Sequence, residues 1–171
     1  LDAGLAGNVG LAPLEIADRH AIIVFELSSY QTADMAFSPD IAAVTNLSPE
    51  HTDWHRDVEH YYADKLNLID RDTLFPVALG HGADTHPKVL AALRDRSRLI
   101  PPLAPFLADR IATAVARSRL KGEHNLDNAR LAAAIAMKVG ADIEGVIRGI
   151  QKFEPLPHRL EAHEIGGLTF V

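Results

Sequence analysis

The sequence predicts an α/β fold, a three-layer architecture with an open, mostly parallel sheet flanked by helices. Two short runs, 21–27 (AIIVFEL) and 41–47 (IAAVTNL), are continuously apolar, as strands buried on both faces of a parallel sheet are. Helical patterns lie on either side of them, at LAPLEIA before the first and from Val58 after the second. Strand and helix therefore alternate, which is the mark of the α/β class.

The elements follow in order. LAPLEIA, between Gly10 and Ala17, fits a short helix, and the two apolar strands come next. From Val58 the apolar positions Val58, Tyr61, Tyr62, Leu66 and Ile69 gather on one helical face, with Lys65 in the middle of that stripe. A further strand is expected near 76–79. HPKVLAALRDR reads as helical, the prolines Pro101, Pro102 and Pro105 as a surface crossing, not a domain boundary, and ADRIATAVARS as either helix or strand. Asn125 is placed to cap a helix presenting Leu131, Ala132, Ile135, Ala136 and Val139. Gly140 suits its C-terminal turn, and Asp142 caps a second helix carrying Ile143, Val146, Ile147, Ile150 and Phe153. The opening LDAGLAGNVG and the final IGGLTFV, a turn and a strand, both read as the interior of a longer chain.

Composition narrows the chemistry. A chain of 171 residues with 47% hydrophobic and 23% charged residues is ordinary for a globular protein. A formal charge of −6 argues against non-specific binding to nucleic acid or membrane surfaces. With no cysteine, disulfides, thiolate metal sites and cysteine nucleophiles are excluded. No apolar run approaches the roughly 20 residues that span a bilayer.

Several residues could carry chemistry. Glu26 closes the first strand, and open α/β sheets bind ligands at the carboxyl ends of their strands; an ordinary solvated acid explains it equally well. His51, Asp53 and His55 follow the second strand at what should be the same edge. Histidines four apart can share a metal on a helix, but Pro49 and the polar run before Asp57 predict a loop. Lys65 either snorkels along the apolar face or is partly buried, where the ammonium form is disfavoured. A neutral amine reacts with carbon dioxide to give a carbamate, an anionic oxygen ligand suited to a hard cation. The backbone N–H groups of GNVG, residues 7–10, could face an anion at a helix start, or simply form a turn. Asn125 and Asn128 lie one turn apart, able to cap or to read a nucleobase, and His158-Arg159 offers a cationic fork for phosphate or ribose.

The order GNVG, ELSSYQ, TNLSPEHTDWH, YYADK, GEHNLDNA and PHR closely resembles the central domain of the Mur ligases, ATP-dependent amino-acid-adding enzymes of peptidoglycan synthesis. Within that family ELSSYQ resembles the members that add D-glutamate to UDP-N-acetylmuramoyl-L-alanine. The resemblance implies that Glu26 holds the Mg2+ bridging the ATP phosphates and that His51 contacts a second Mg2+. It implies that Lys65, as a carbamate, helps hold that second ion. Asn8, Ser28 and Gln31 would line the nucleotide-sugar site. Asn125 and Asn128 would meet the adenine, with Arg159 at the ATP phosphate or ribose and His158 nearby; Asp53 and His55 are left structural. The implied reaction first phosphorylates the L-alanyl carboxylate from ATP, releasing ADP, and the amine of D-glutamate then displaces phosphate. A monomeric, bacterial cytoplasmic enzyme is implied.

The resemblance also implies domain limits: 1–156 as the central domain without its phosphate-loop segment, and 157–171 as the start of a C-terminal domain. No G-x-x-x-x-G-K-[ST] occurs in the chain, and the family carries that loop upstream of GNVG. Residues 80–84 read Gly-His-Gly-Ala-Asp where the family usually has Asn-Ala-Asp. The chain alone is expected to be inactive. Three competing readings stand beside this one: a meso-diaminopimelate- or lysine-adding Mur ligase, a metal-dependent hydrolase using Glu26, His51, Asp53 and His55, and a non-catalytic nucleotide-binding module.

Overall fold

A computed structural model describes residues 1–8, 11–37, 39–70, 75–154, 163–165 and 168–170. The chain separates into two compact units, Leu1–Leu99 and Ile100–Val171. The division falls immediately before Pro101, Pro102 and Pro105, where the sequence predicts only a surface crossing.

The first unit opens with a strand absent from the sequence-based expectation, β1 (Ala3–Gly7), paired in parallel with β2 (Ile22–Glu26). Its composition, AGLAG, has no β-branched residue, so strand propensity is silent there and the pairing supplies the order. Between them α1 (Pro13–Ile16) starts with Pro13 in the first turn, where a missing N–H costs nothing, and buries Ile16. A second parallel pair joins β3 (Ala42–Val44) to β4 (Val77–Leu79) in the register Ala42 to Val77. The α/β class with parallel strands is as expected. Among the described residues the strands form separate pairs, with Leu5 and Val24, register partners in β1 and β2, exposed on one face.

Helices α2 (Ser29–Ala33), α3 (Thr52–His55), α4 (Val58–Leu66) and α5 (Pro87–Leu93) complete the unit. The expected stripe on α4 holds: Tyr61, Leu66 and the following Ile69 are buried. Leu66 and Ile69 join Ala42, Val44, Phe75, Val77, Ala83, Val89 and Leu93 in one core. Each fully buried aliphatic side chain there contributes about 1.5–3 kcal/mol. Arg98, only 6% exposed, stacks on the Phe75 ring and donates to the carbonyls of Phe75, Ile69 and Leu93. It thereby bonds carbonyls at the end of α5, just past α4 and just before β4.

The second unit packs α6 (Pro105–Ala116), α7 (Glu123–Lys138) and α8 (Ile143–Lys152) around Ile111, Val115, Ala129 and Ala133. ADRIATAVARS is therefore helical, with Pro105 at its first turn. Two expectations about α7 are corrected. The N-cap of α7 is Gly122, and Asn125 lies inside the helix with its amide donating to the Lys121 carbonyl at 2.7 Å. The buried face of α7 is that of Ala129 and Ala133, while Ala132 is exposed. The small methyl groups admit close packing of α6. Asp142 caps α8 as expected, accepting from the Gly145 N–H at 2.7 Å, and Gly140 has a φ of 97°. Phe153, expected on the packed face of α8, is exposed. Strands β5 (His163–Ile165) and β6 (Leu168–Phe170) pair antiparallel.

Candidate functional site

The carboxyl ends of β1 and β2 bring together two residues singled out in the sequence. The parallel register sets Gly7 beside Glu26, and the Asn8 N–H donates to the Glu26 carbonyl at 2.9 Å. Gly7 has a φ of 106°, and a Cβ there would lie 2.1 Å from the Glu26 carbonyl oxygen. Only glycine allows this approach, which leaves the Glu26 carboxylate exposed at the strand end. Val9 and Gly10 of GNVG lie outside the described residues.

Ser28 and Gln31 hold each other. Ser28 is the N-cap of α2, its backbone N–H donates to Gln31 Oε1 at 2.8 Å, and the Gln31 N–H donates to Ser28 Oγ at 3.4 Å. This capping box fixes the loop just after Glu26. The Ser28 hydroxyl also donates to Gln31 Oε1, at 2.9 Å, which orients the amide.

His51 and His55 bracket α3, so the segment is a single helical turn where a loop is expected. His51 is its N-cap, in the left-handed region at φ 52°, and Arg56 after it has φ 73°. Non-glycine residues in that region carry strain, and two of the three such residues among those described flank this one turn. The His51 ring is exposed, 5.2 Å from the ring of Tyr30. His55 points the other way. It is 2% exposed, with Nδ1 2.7 Å from Asp64 Oδ2 and Nε2 3.0 Å from Ser29 Oγ. Both ring nitrogens are engaged, so His55 has no lone pair to share with His51. Among the described residues no three His, Cys, Asp or Glu side chains gather into a metal-holding group. The hydrolase built on Glu26, His51, Asp53 and His55 therefore loses its ligand set.

Lys65 is half-buried on α4, and its Nζ donates to the Tyr61 hydroxyl at 3.1 Å while lying 5.5 Å from the centre of that ring. Tyr61 is buried. The amine is thus turned along the helix onto a buried phenol. Tyr61 is the residue the sequence reading missed as anything but packing; its position one helical turn before Lys65 is the signal that could have found it. On the same helix the Asp57 N-cap accepts from the His60 N–H, which holds the Asp57 carboxyl below the usual aspartate range.

Asn125 and Asn128 belong to the second unit, where the Asn125 amide is committed to the backbone and Asn128 is exposed. His158 and Arg159 lie outside the described residues.

Parallel strand pairs flanked by helices define the first unit as an α/β domain, with Glu26 at a strand end and Lys65 turned toward the apolar side of α4. Residues 9–86 match the Mur ligase middle domain. The chain is 36% identical to a UDP-N-acetylmuramoyl-L-alanine--L-glutamate ligase of a Micromonospora species, over 96% of this chain and 40% of that protein. It is 34% identical to UDP-N-acetylmuramoylalanine--D-glutamate ligases of Thermobifida fusca, over 96% of this chain and 42% of the relative, and of Nitratidesulfovibrio vulgaris, over 100% and 39%. The chain belongs to the Mur ligase family. It spans about two-fifths of the length of these curated relatives. Among the described residues no helix is long and apolar enough to cross a membrane.

Proposed function

We propose that this chain supplies the middle domain of an ADP-forming ligase that adds glutamate to UDP-N-acetylmuramoyl-L-alanine in bacterial peptidoglycan synthesis, acting in the cytoplasm. The observation that carries the reading is the Lys65 amine held on the buried Tyr61 hydroxyl, within a region matching the Mur ligase middle domain. The glutamate-adding names of the relatives favour it over a meso-diaminopimelate- or lysine-adding enzyme. They include both L-glutamate and D-glutamate ligases; the ELSSYQ motif is the argument for D-glutamate.

In this reading Asn8, Ser28 and Gln31 bind the nucleotide-sugar acceptor, with the capping box presenting the Gln31 amide in one orientation. Asn125, Asn128, His158 and Arg159 bind ATP. Glu26 would hold one Mg2+, and His51 with Lys65, as a carbamate, a second. Each set then offers an oxygen-bearing group suited to a hard cation, and Mg2+ characteristically takes few protein ligands beside phosphate oxygens. When bound, the ions would neutralise charge on the transferring phosphoryl group. The acceptor's L-alanyl carboxylate attacks the γ-phosphorus, ADP leaves, and the glutamate amine then attacks the acyl carbonyl and expels phosphate.

The test is ADP release with UDP-N-acetylmuramoyl-L-alanine, in a ligase of the relatives' length that contains residues 1–171. Release that depends on D-glutamate is expected. Release with L-glutamate alone would overturn the stereochemical assignment, and no glutamate dependence would overturn the reading. Residues 1–171 alone are expected to release none above background.

A further inference from the structure

We infer that His55 is a positioning residue whose imidazole, bridging Ser29 and Asp64, holds His51 and Lys65 in place. The inference rests on the proposed roles of those two residues and deepens them. Three segments meet at this one side chain. The Ser29 hydroxyl, 3.0 Å from Nε2, starts α2 directly after Ser28; the Asp64 carboxylate, 2.7 Å from Nδ1, directly precedes Lys65. A carboxylate only accepts, so Nδ1 carries the proton and donates to Asp64; in the neutral imidazole Nε2 then accepts from the Ser29 hydroxyl. The third segment is α3 itself, where the His55 N–H donates to the His51 carbonyl at 3.2 Å.

Ring contacts extend the hold. The imidazole meets the buried Tyr61 ring edge-on, with centroids 5.2 Å apart, and the Tyr61 hydroxyl accepts from Lys65 Nζ. Trp54 and Tyr30 pack against the same imidazole at 4.5 and 5.5 Å, and Tyr30 also meets the His51 ring. One path thus runs from imidazole to phenol to the lysine amine, and another through Tyr30 to the outer histidine. The positive φ values of His51 and Arg56 give this arrangement its purpose. A four-residue helix with strain at both ends does not persist alone, and a buried side chain bonded at both nitrogens is the kind of over-determination that keeps strained backbone in place.

Serine, histidine and aspartate in this order also describe a hydrolytic triad. Ser29 is 8% exposed, and the imidazole is enclosed by three aromatic rings, so no acyl group could reach the hydroxyl. The arrangement is a clamp.

The test uses the 171-residue chain with His55→Leu, Asp64→Asn and Ser29→Ala. Circular dichroism checks folding, NMR follows the His51 ring and the Lys65 side chain, and amide exchange is read across 52–65. His55→Leu is expected to keep its helices while exchange at 53–56 rises at least about tenfold and both the His51 and Lys65 signals move. Asp64→Asn, whose amide oxygen still accepts from Nδ1, should restore most of the wild-type signals, and Ser29→Ala should fall between. If His55→Leu does not fold, Ser29→Ala decides, since it removes one bond from the clamp. Unmoved His51 and Lys65 signals in a folded variant that has lost a clamp bond would overturn the inference. Labelling of Ser29 by a fluorophosphonate would overturn it in favour of a nucleophile. None of these readouts needs ligase activity, so failure of the proposed reaction is seen separately, in ADP release by the longer enzyme.

Discussion

Replacing Gly7 by alanine tests the edge where Asn8 and Glu26 meet. A methyl group at Gly7 would lie 2.1 Å from the Glu26 carbonyl oxygen and 2.5 Å from Phe25 Cδ2, on a backbone with φ 106°. Holding an L-residue in a sparsely populated region costs about 1–3 kcal/mol, and forcing an extra carbon into a packed contact costs about 1–3 kcal/mol more. The expected loss is the sum, about 2–6 kcal/mol, a large part of the roughly 5–15 kcal/mol that stabilises a domain. The clash is relieved most easily by peeling the end of β1 from β2, which breaks the bond from the Asn8 N–H to the Glu26 carbonyl. The chain's single tryptophan, Trp54, lies in the first unit, so its fluorescence in a urea titration reports that unit alone. With a slope of about 1–3 kcal/mol per molar urea, the midpoint should fall by at least about 0.7 M. Asn8 amide exchange should accelerate in parallel. A loss under about 0.5 kcal/mol with the Asn8 amide still protected would show that the strand edge accommodates a Cβ at Gly7.

Three further outcomes are expected. Arg98→Met removes charge-assisted bonds to the carbonyls of Phe75, Ile69 and Leu93 and should cost at least about 3 kcal/mol by the same fluorescence assay; a loss below about 1 kcal/mol would contradict the capping role. The Asp57 carboxyl is held low chiefly by the His60 backbone N–H, so its stabilising effect is complete above the unfolded aspartate value of about 3.9. That effect is lost as pH falls through the lower folded value. Asp57→Asn should therefore flatten the acid limb of the melting-temperature profile below about pH 4, and an unchanged limb would sink the assignment. In the second unit, Ala133→Glu should strongly destabilise α7 and Ala132→Glu should be tolerated, since Ala133 is 1% exposed and Ala132 faces solvent; thermal melts of the two variants decide which face is packed.

Much of the first unit was legible because its signals are local and periodic. Continuous apolar runs gave β2 and β3, and the spacing of Val58, Tyr61, Leu66 and Ile69 gave α4 and set Lys65 on its packed side. β1 escaped because alanine and glycine carry no strand signal, and only pairing with β2 makes it one. The turn at Thr52–His55 escaped because its backbone is held by tertiary contacts that no spacing rule contains. For the same reason the i, i+4 histidines suggested a shared metal, when His51 faces solvent and His55 the interior. On α7, several nearly equivalent alanine faces made the expected stripe through Ala132 the wrong one, since α6 packs against Ala129 and Ala133. The motif order did reveal the family, which the middle-domain match and the glutamate-ligase relatives support.

In the proposed function Lys65 works as an oxygen ligand made from an amine. The most direct measurement of that role is glutamate-dependent ADP release by the Lys65→Ala variant of a ligase of the relatives' length containing this chain, with and without added acetate or formate. Loss of activity is expected, with partial recovery when the small carboxylate supplies the missing oxygen. Full activity in the alanine variant without any added acid would contradict that role.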